Sequence, residues 1–271
     1  MYPQLLYYDL GENVTAFSSE RGGGVSTGNY AQFNVNMFCG DNISNIKENR
    51  KALCELLNIG YGNIFMPHQI HSNKCVRITK EAASLDSLKR SNLLEGVDAL
   101  ITNEKNICIG VSTADCIPLV VYDIKHHAAG VIHAGWRGTC NRIVEHVVNT
   151  MSETFGSQPA DIKAAIGPGI SMECFEVGDE VYSHFKDAGF DMNVIARKYP
   201  ATRKEDLDAE ISEKWHIDLF EANRLQLTKS GIPEENIQSA GFCTYKNSDR
   251  FFSARKLGTN SGRILTGIIL R

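Results

Sequence analysis

Four short apolar segments, 97–102, 106–112, 117–122 and 128–133, follow one another in mid-chain with turn residues between them. Each is rich in Val, Ile and Ala and reads as a strand. No helical signal separates one from the next. A doubly wound parallel sheet alternates strand with helix, so this pattern points instead to a mixed sheet. Segments 14–19, 74–79 and 264–270 add further strands. Three helices are expected to cover them. The first runs from a cap at Asp41 through Leu57, with Ile46, Leu53, Cys54 and Leu57 on its apolar face. The second covers about 139–155, with Ile143, Val144, Val147, Val148 and Met151 on one stripe. The third covers about 218–230 and is stopped by Gly231 and Pro233. The expected fold class is therefore α/β (α+β): one domain over residues 1–271, with a mixed β-sheet core covered by helices.

The chain has 271 residues, 42% of them hydrophobic, enough for a substantial core. Its net charge is −4, with no run of five like charges, so a basic nucleic-acid footprint is absent. Residues 1–11 have no basic start and carry Asp9 before an apolar run develops, unlike a signal peptide. The most apolar stretch, 107–122, is interrupted by Asp115 and Pro118 and is too short to span a bilayer. A cytoplasmic protein with no membrane or nucleic-acid partner is expected. The eight cysteines form no Cys-x-x-Cys pair, so reduced thiols, mostly small buried residues, are the default reading.

The stretch Arg21-Gly22-Gly23-Gly24-Val25-Ser26 lacks the Gly-Lys-Ser/Thr ending of a P-loop and the dinucleotide-binding glycine spacing. It is either a plain turn or a flexible loop on which Arg21 reaches an anionic substrate.

Three segments put metal-capable residues at strand ends: Pro67-His68-Gln69-Ile70-His71-Ser72, Ser112-Thr113-Ala114-Asp115-Cys116, and Ile132-His133-Ala134-Gly135-Trp136-Arg137-Gly138. Side chains at strand ends and tight turns converge on clefts. Spacings of 45 and 17 residues from His71 to Cys116 to His133 match no zinc finger, so the residues alone nominate a Cys/His cluster without showing that it assembles.

The same three segments resemble the signatures of the YfiH family, also called laccase-like or the polyphenol oxidoreductase family. Arg21-Gly22-Gly23, Ile166-Gly167-Pro168, Phe175-Glu176-Val177-Gly178, Cys243-Thr244 and Phe251-Phe252-Ser253 extend the resemblance over nearly the whole chain. The C-terminal part departs from it: Lys246 and Ala254-Arg255-Lys256 stand where the family tends to have a second Cys or polar residue and a Tyr-Arg-Arg run. Members include purine nucleoside phosphorylases with adenosine deaminase activity and peptidoglycan editing factor.

The resemblance implies a Zn²⁺ held by His71, Cys116 and His133, a set that leaves an open fourth position as catalytic sites do. Cu²⁺ could occupy the same site by raw affinity. It implies a purine nucleoside (adenosine, inosine or methylthioadenosine) and phosphate as substrates, with adenosine deamination as a side activity. Asp115 and His68 are candidates to orient the ligands, with turn capping the alternative for Asp115. Arg21, Arg137 and Arg255, together with His68, are candidates for substrate or phosphate binding, and Glu176 for general acid–base work. A salt bridge is the alternative for Arg137. Other readings of the same residues are a cysteine hydrolase using Cys116 and His133, a peptidoglycan-precursor editing enzyme, and a copper polyphenol oxidase. With eight histidines and no His-x-His pair, the chain lacks the histidine pattern of true multicopper centres.

Overall fold

A computed structural model describes residues 2–201 and 213–271. Strands β1 (Leu5–Tyr8) and β2 (Val14–Ser19) form a hairpin, followed by helix α1 (Ile43–Leu57) and the short strands β3 (Ile64–Phe65) and β4 (Cys75–Arg77). Helix α2 (Ser87–Leu94) leads into β5 (Ala99–Thr102), β6 (Cys108–Thr113), β7 (Ile117–Asp123) and β8 (Ala128–Ala134). Next come α3 (Trp136–Cys140), α4 (Ile143–Phe155), β9 (Ile162–Ile166), β10 (Glu176–Val177), α5 (Asp179–Asp187), α6 (Met192–Ile195) and β11 (Ala196–Pro200). The C-terminal part holds β12 (Glu213–Ile217), α7 (Leu219–Lys229), β13 (Ile237–Ser239), α8 (Ala254–Leu257) and β14 (Ile264–Leu270).

The mixed sheet core is realised as two mixed sheets, ordered β1-β2-β14-β6-β3 and β13-β9-β7-β8-β5-β4, with β10-β12-β11 as a small antiparallel addition. Side-chain alternation explains how the larger two stack. On β7, Val120 and Tyr122 join a core with Ile109, Val111 and Ile268 of the other sheet. Leu119 and Val121 point the opposite way, into a core with Val144, Val147 and Met151 of α4 and Leu227 of α7. The outer face of the first sheet buries Phe17, Leu265 and Ile269 against Leu53 and Leu57 of α1. The result is helix, sheet, sheet, helix. Strands covered on both faces carry continuous apolar runs, which is why 97–133 reads so strongly.

Two expected boundaries move. Asn42, not Asp41, caps α1 by accepting from Ser44 N at 2.9 Å. The Asp41 carboxylate instead accepts from Ser26 Oγ at 2.7 Å and Asn34 Nδ2 at 2.9 Å, tying the glycine-rich loop to the strand-like stretch after it. The single helix expected over about 139–155 is broken at Arg142, whose φ of 56° is left-handed, so α3 ends before α4 begins. The third expected helix is α7, capped by Asp218, which accepts from Glu221 N at 2.9 Å. Among the described residues no helix is long and apolar enough to cross a membrane.

Candidate metal centre

His133 lies on β8 and Cys116 immediately precedes β7, the strand paired with it; Ile117 faces Ala134 in that register. His71 comes from the loop between β3 and β4, with a left-handed φ of 64°. The ligating atoms of the three residues lie within 4.8 Å of one another. Cys116 Sγ is 3.8 Å from His71 Nε2, and the two imidazole centroids are 4.9 Å apart. His71 is exposed, Cys116 half-buried and His133 buried, so the cluster faces a cavity of about 350 Å³ from one wall.

Asp98, absent from the sequence-based candidates, organises this arrangement. Fully buried at the start of β5, it accepts from Ile70 N at 3.2 Å, His71 N at 3.0 Å and Ser72 N at 2.8 Å. It also accepts from Ser72 Oγ at 2.8 Å and His133 Nδ1 at 2.6 Å. One carboxylate therefore shapes the His71 loop and orients His133. With Nδ1 engaged, Nε2 of His133 is left to act as the ligand, the usual outer support of a metal-bound histidine. Gln69 adds a second brace. Its side-chain amide bonds both backbone groups of Ser112, at 3.0 and 2.7 Å, tying the His71 loop to the end of β6.

The orienting role expected of Asp115 and His68 belongs to Asp98. Asp115, at φ 90°, accepts from Thr244 Oγ1 at 2.7 Å and from the backbone N–H of Arg255 at 2.6 Å. It anchors C-terminal segments to the turn before Cys116. His68 lines the cavity, bonded to Glu95 at 2.8 Å and stacked on Phe38.

The arginines and Glu176 sit differently from one another. Arg21 donates to Ala31 O and, at 2.6 Å, to Ser248 O, clamping its own loop. Arg137 is exposed, its guanidinium 4.1 Å from the Trp136 ring, and is not part of the cavity lining. Arg255 Nη2 donates to Glu176 O at 3.1 Å. Glu176 is buried and pairs in register with His216, on the sheet beside the site. The arginine lining the cavity is Arg263, which bonds Ser261 O at 2.6 Å and Thr259 O at 2.9 Å. Ser112 and Thr113 also line it, and their buried hydroxyls have no partner among the described residues.

Burial alone would raise the Cys116 thiol, but the charge of His133 and hydrogen bonds from both histidines pull it down to about 6. Burial would likewise lower His133, yet the Cys116 thiolate and the Asp98 carboxylate push it up to about 9. Two imidazole nitrogens and one readily ionised sulfur on an open cavity wall fit Zn²⁺, with room for a fourth ligand. Close packing leaves no slack. A Cβ added to Gly135 would lie 2.8 Å from His71 Cδ2 and 3.0 Å from Cys116 Sγ. Gly135→Ala should therefore weaken metal binding by roughly 10- to 100-fold, as displaced supports of metal ligands do. Competition with a chromophoric chelator measures it, and unchanged affinity would rule out a tight cluster.

Residues 15–271 match the model of the family described as multi-copper polyphenol oxidoreductase laccase. A purine nucleoside phosphorylase of Bacteroides thetaiotaomicron is 44% identical over 258 residues, covering 95% of this chain and 92% of that protein. An adenosine deaminase from an unknown prokaryotic organism is 41% identical, covering 95% and 94%. Among solved structures, the hypothetical protein YfiH of Bacillus licheniformis superposes with a TM-score of 0.87 at 28% identity, covering 99% of this chain and 97% of that one. YlmD of Geobacillus stearothermophilus gives 0.84 at 28% identity, covering 97% and 94%. A match over nearly the full length means that the chain belongs to the YfiH family of laccase-like polyphenol oxidoreductases.

Proposed function

We propose that this protein is a zinc-dependent purine nucleoside phosphorylase acting on adenosine, inosine and methylthioadenosine, with adenosine deamination as a side activity. The observation that carries this reading is the His71–Cys116–His133 cluster on the wall of a 350 Å³ cavity, a size suited to a small ligand. The relatives named purine nucleoside phosphorylase and adenosine deaminase supply the reaction class. When bound, zinc supplies Lewis acidity and lowers the pKa of a bound water.

The chain's own residues do the rest. Asp98 holds His133 and the His71 loop in one geometry, so that the cluster needs little rearrangement on binding. Arg263, on the cavity lining, is suited to donate to a phosphate oxygen. Phe38 offers an apolar face to a base at the cavity edge. In phosphorolysis, a phosphate oxygen bonds to ribose C1′ as the N-glycosidic bond breaks. The purine leaves with the bonding pair and takes up a proton.

One specific observation favours a second reading. Cys116, His133 and Asp98 form a Cys–His–Asp chain of the kind used by cysteine hydrolases. Alkylation separates the two. Metal-free protein should react with iodoacetamide at Cys116 near neutral pH, with a rate that rises as pH passes about 6. Burial keeps Cys75 and Cys108, each near 12, and Cys140, near 11, protonated there. Zinc should suppress the Cys116 reaction by engaging the sulfur lone pair. Rapid stoichiometric labelling of the zinc-loaded protein would favour the hydrolase.

A further inference from the structure

Beside the metal cavity lies a second one of about 360 Å³. Phe38 and His68 line both. Their rings stack at 4.4 Å and 25°, forming a partition between the two spaces. The second cavity is largely apolar, walled by Phe38, Ile64, Met66 and Leu94, with half-exposed Met37 and Tyr61 at its mouth.

Two arginines open onto this apolar space, Arg50 from α1 and Arg90 from α2. Arg50 Nε donates to Val35 O at 2.8 Å, while Nη2 meets the Met66 thioether at 3.6 Å. Arg90 donates to Gly62 O at 2.6 Å and to Ile64 O, with its guanidinium 3.8 Å from the Phe65 ring centroid. Carbonyls, the Tyr61 hydroxyl beside Arg50 and an aromatic ring satisfy donors but cancel no full charge. Among the described residues, no carboxylate pairs with either guanidinium. Burial holds both arginines below their ordinary range, and for Arg50 the Arg90 charge adds to that effect. Two half-buried cations of like sign, with no counter-ion, are stabilised by an anion that reaches both.

We infer that this cavity is a second small-molecule site, built for an anion with an apolar body: an aryl or alkyl carboxylate or phosphate monoester. Its head lies at Arg50 and Arg90, and its body against Met66, Leu94 and Phe38. The guanidinium fork suits either kind of head group. Because Phe38 and His68 also bound the metal cavity, an occupant braces that shared partition. Such binding is independent of which reaction the metal centre catalyses.

Calorimetric titration of the zinc-loaded full chain tests it with four probes: phenyl phosphate, 3-phenylpropionate, neutral 3-phenylpropan-1-ol and inorganic phosphate. At least one of the two aromatic anions should bind, and the better of them indicates which head group fits. The alcohol should bind about 10-fold more weakly or worse, the scale of a lost charge-assisted hydrogen bond. Inorganic phosphate, a substrate proposed for the metal cavity, serves as the control: its binding should be the same in wild type and Ser91→Trp. Arg90→Gln should remove the preference for anions and leave the alcohol unaffected. Ser91→Trp, at an exposed lining position, should obstruct the three aromatic probes without disturbing the core. Equal binding of alcohol and anions, or an unchanged preference in folded Arg90→Gln, would overturn the inference. So would full binding of the aromatic anions in Ser91→Trp, or binding of neither aromatic anion by the wild type.

Discussion

Replacing Asp98 by alanine is expected to destabilise the protein by about 3–5 kcal/mol, the range for removing one partner from a buried charged network. Five donors converge on this fully buried carboxylate: the backbone N–H groups of Ile70, His71 and Ser72, the Ser72 hydroxyl and His133 Nδ1. Alanine leaves them without an acceptor, and a single water cannot replace every oxygen contact at once. For a chain of this size the melting temperature should fall by roughly 10 °C. Zinc affinity should fall with it, since His133 loses its tautomeric control and the His71 loop its anchor. The effect has a pH signature. Burial would raise the Asp98 carboxyl, but the His133 contact and the Ser72 hydrogen bonds outweigh it and hold it below the ordinary range. A depressed carboxylate contributes stability above its unfolded pKa and loses that contribution as pH falls through its native value. The stability gap between wild type and Asp98→Asn should therefore be full at neutral pH and shrink below about pH 4. Thermal melts across that range check both points, and a gap independent of pH would mean that Asp98 is not the charged hub.

Asp98 also shows where sequence reading stops. The segments that hold the trio stood out at predicted strand ends, but their residues alone only nominated a Cys/His cluster, and the family resemblance supplied the set. Asp98 has no such segment. Gly96-Val97-Asp98 looks like an ordinary turn entering a strand, and only pairing of β5 with β8 brings its carboxylate to His133. The pairing is long-range and carries no local signal. The phosphate candidates illustrate the converse. Arg137 is four residues from a ligand in sequence, yet helix α3 turns it out over Trp136. Proximity along the chain is a poor guide just after a strand-to-helix corner. Strand periodicity fared better, because continuous apolar runs arise directly from burial on both faces. What it left open was whether those strands make one sheet or two, since the same alternation serves either arrangement.

Cys116→Ala is expected to have the largest effect on activity. A three-point site that loses its thiolate keeps two neutral imidazoles and no formal charge against Zn²⁺, and metal affinity should collapse. Removing a metal that stabilises transition-state charge by several kcal/mol lowers the rate by on the order of 10³-fold or more. The fold should persist, because Cys116 lies on a cavity wall and not inside any of the apolar cores. Zinc content by plasma emission should drop from about one per chain towards zero, with phosphorolysis falling in parallel. Full zinc occupancy in folded Cys116→Ala would remove this residue from the ligand set. Full occupancy in wild type, with activity retained in a zinc-free variant, would detach the metal from catalysis.

The reaction itself is the most direct test. Zinc-loaded enzyme is incubated with adenosine and inorganic phosphate, and the products are separated chromatographically. Ribose 1-phosphate is expected to match the sum of adenine, the major base, and a little hypoxanthine, dependent on phosphate, with a minor yield of inosine. Neither adenine nor ribose 1-phosphate forming, while the His71–Cys116–His133 site holds its full zinc, would contradict a phosphorylase.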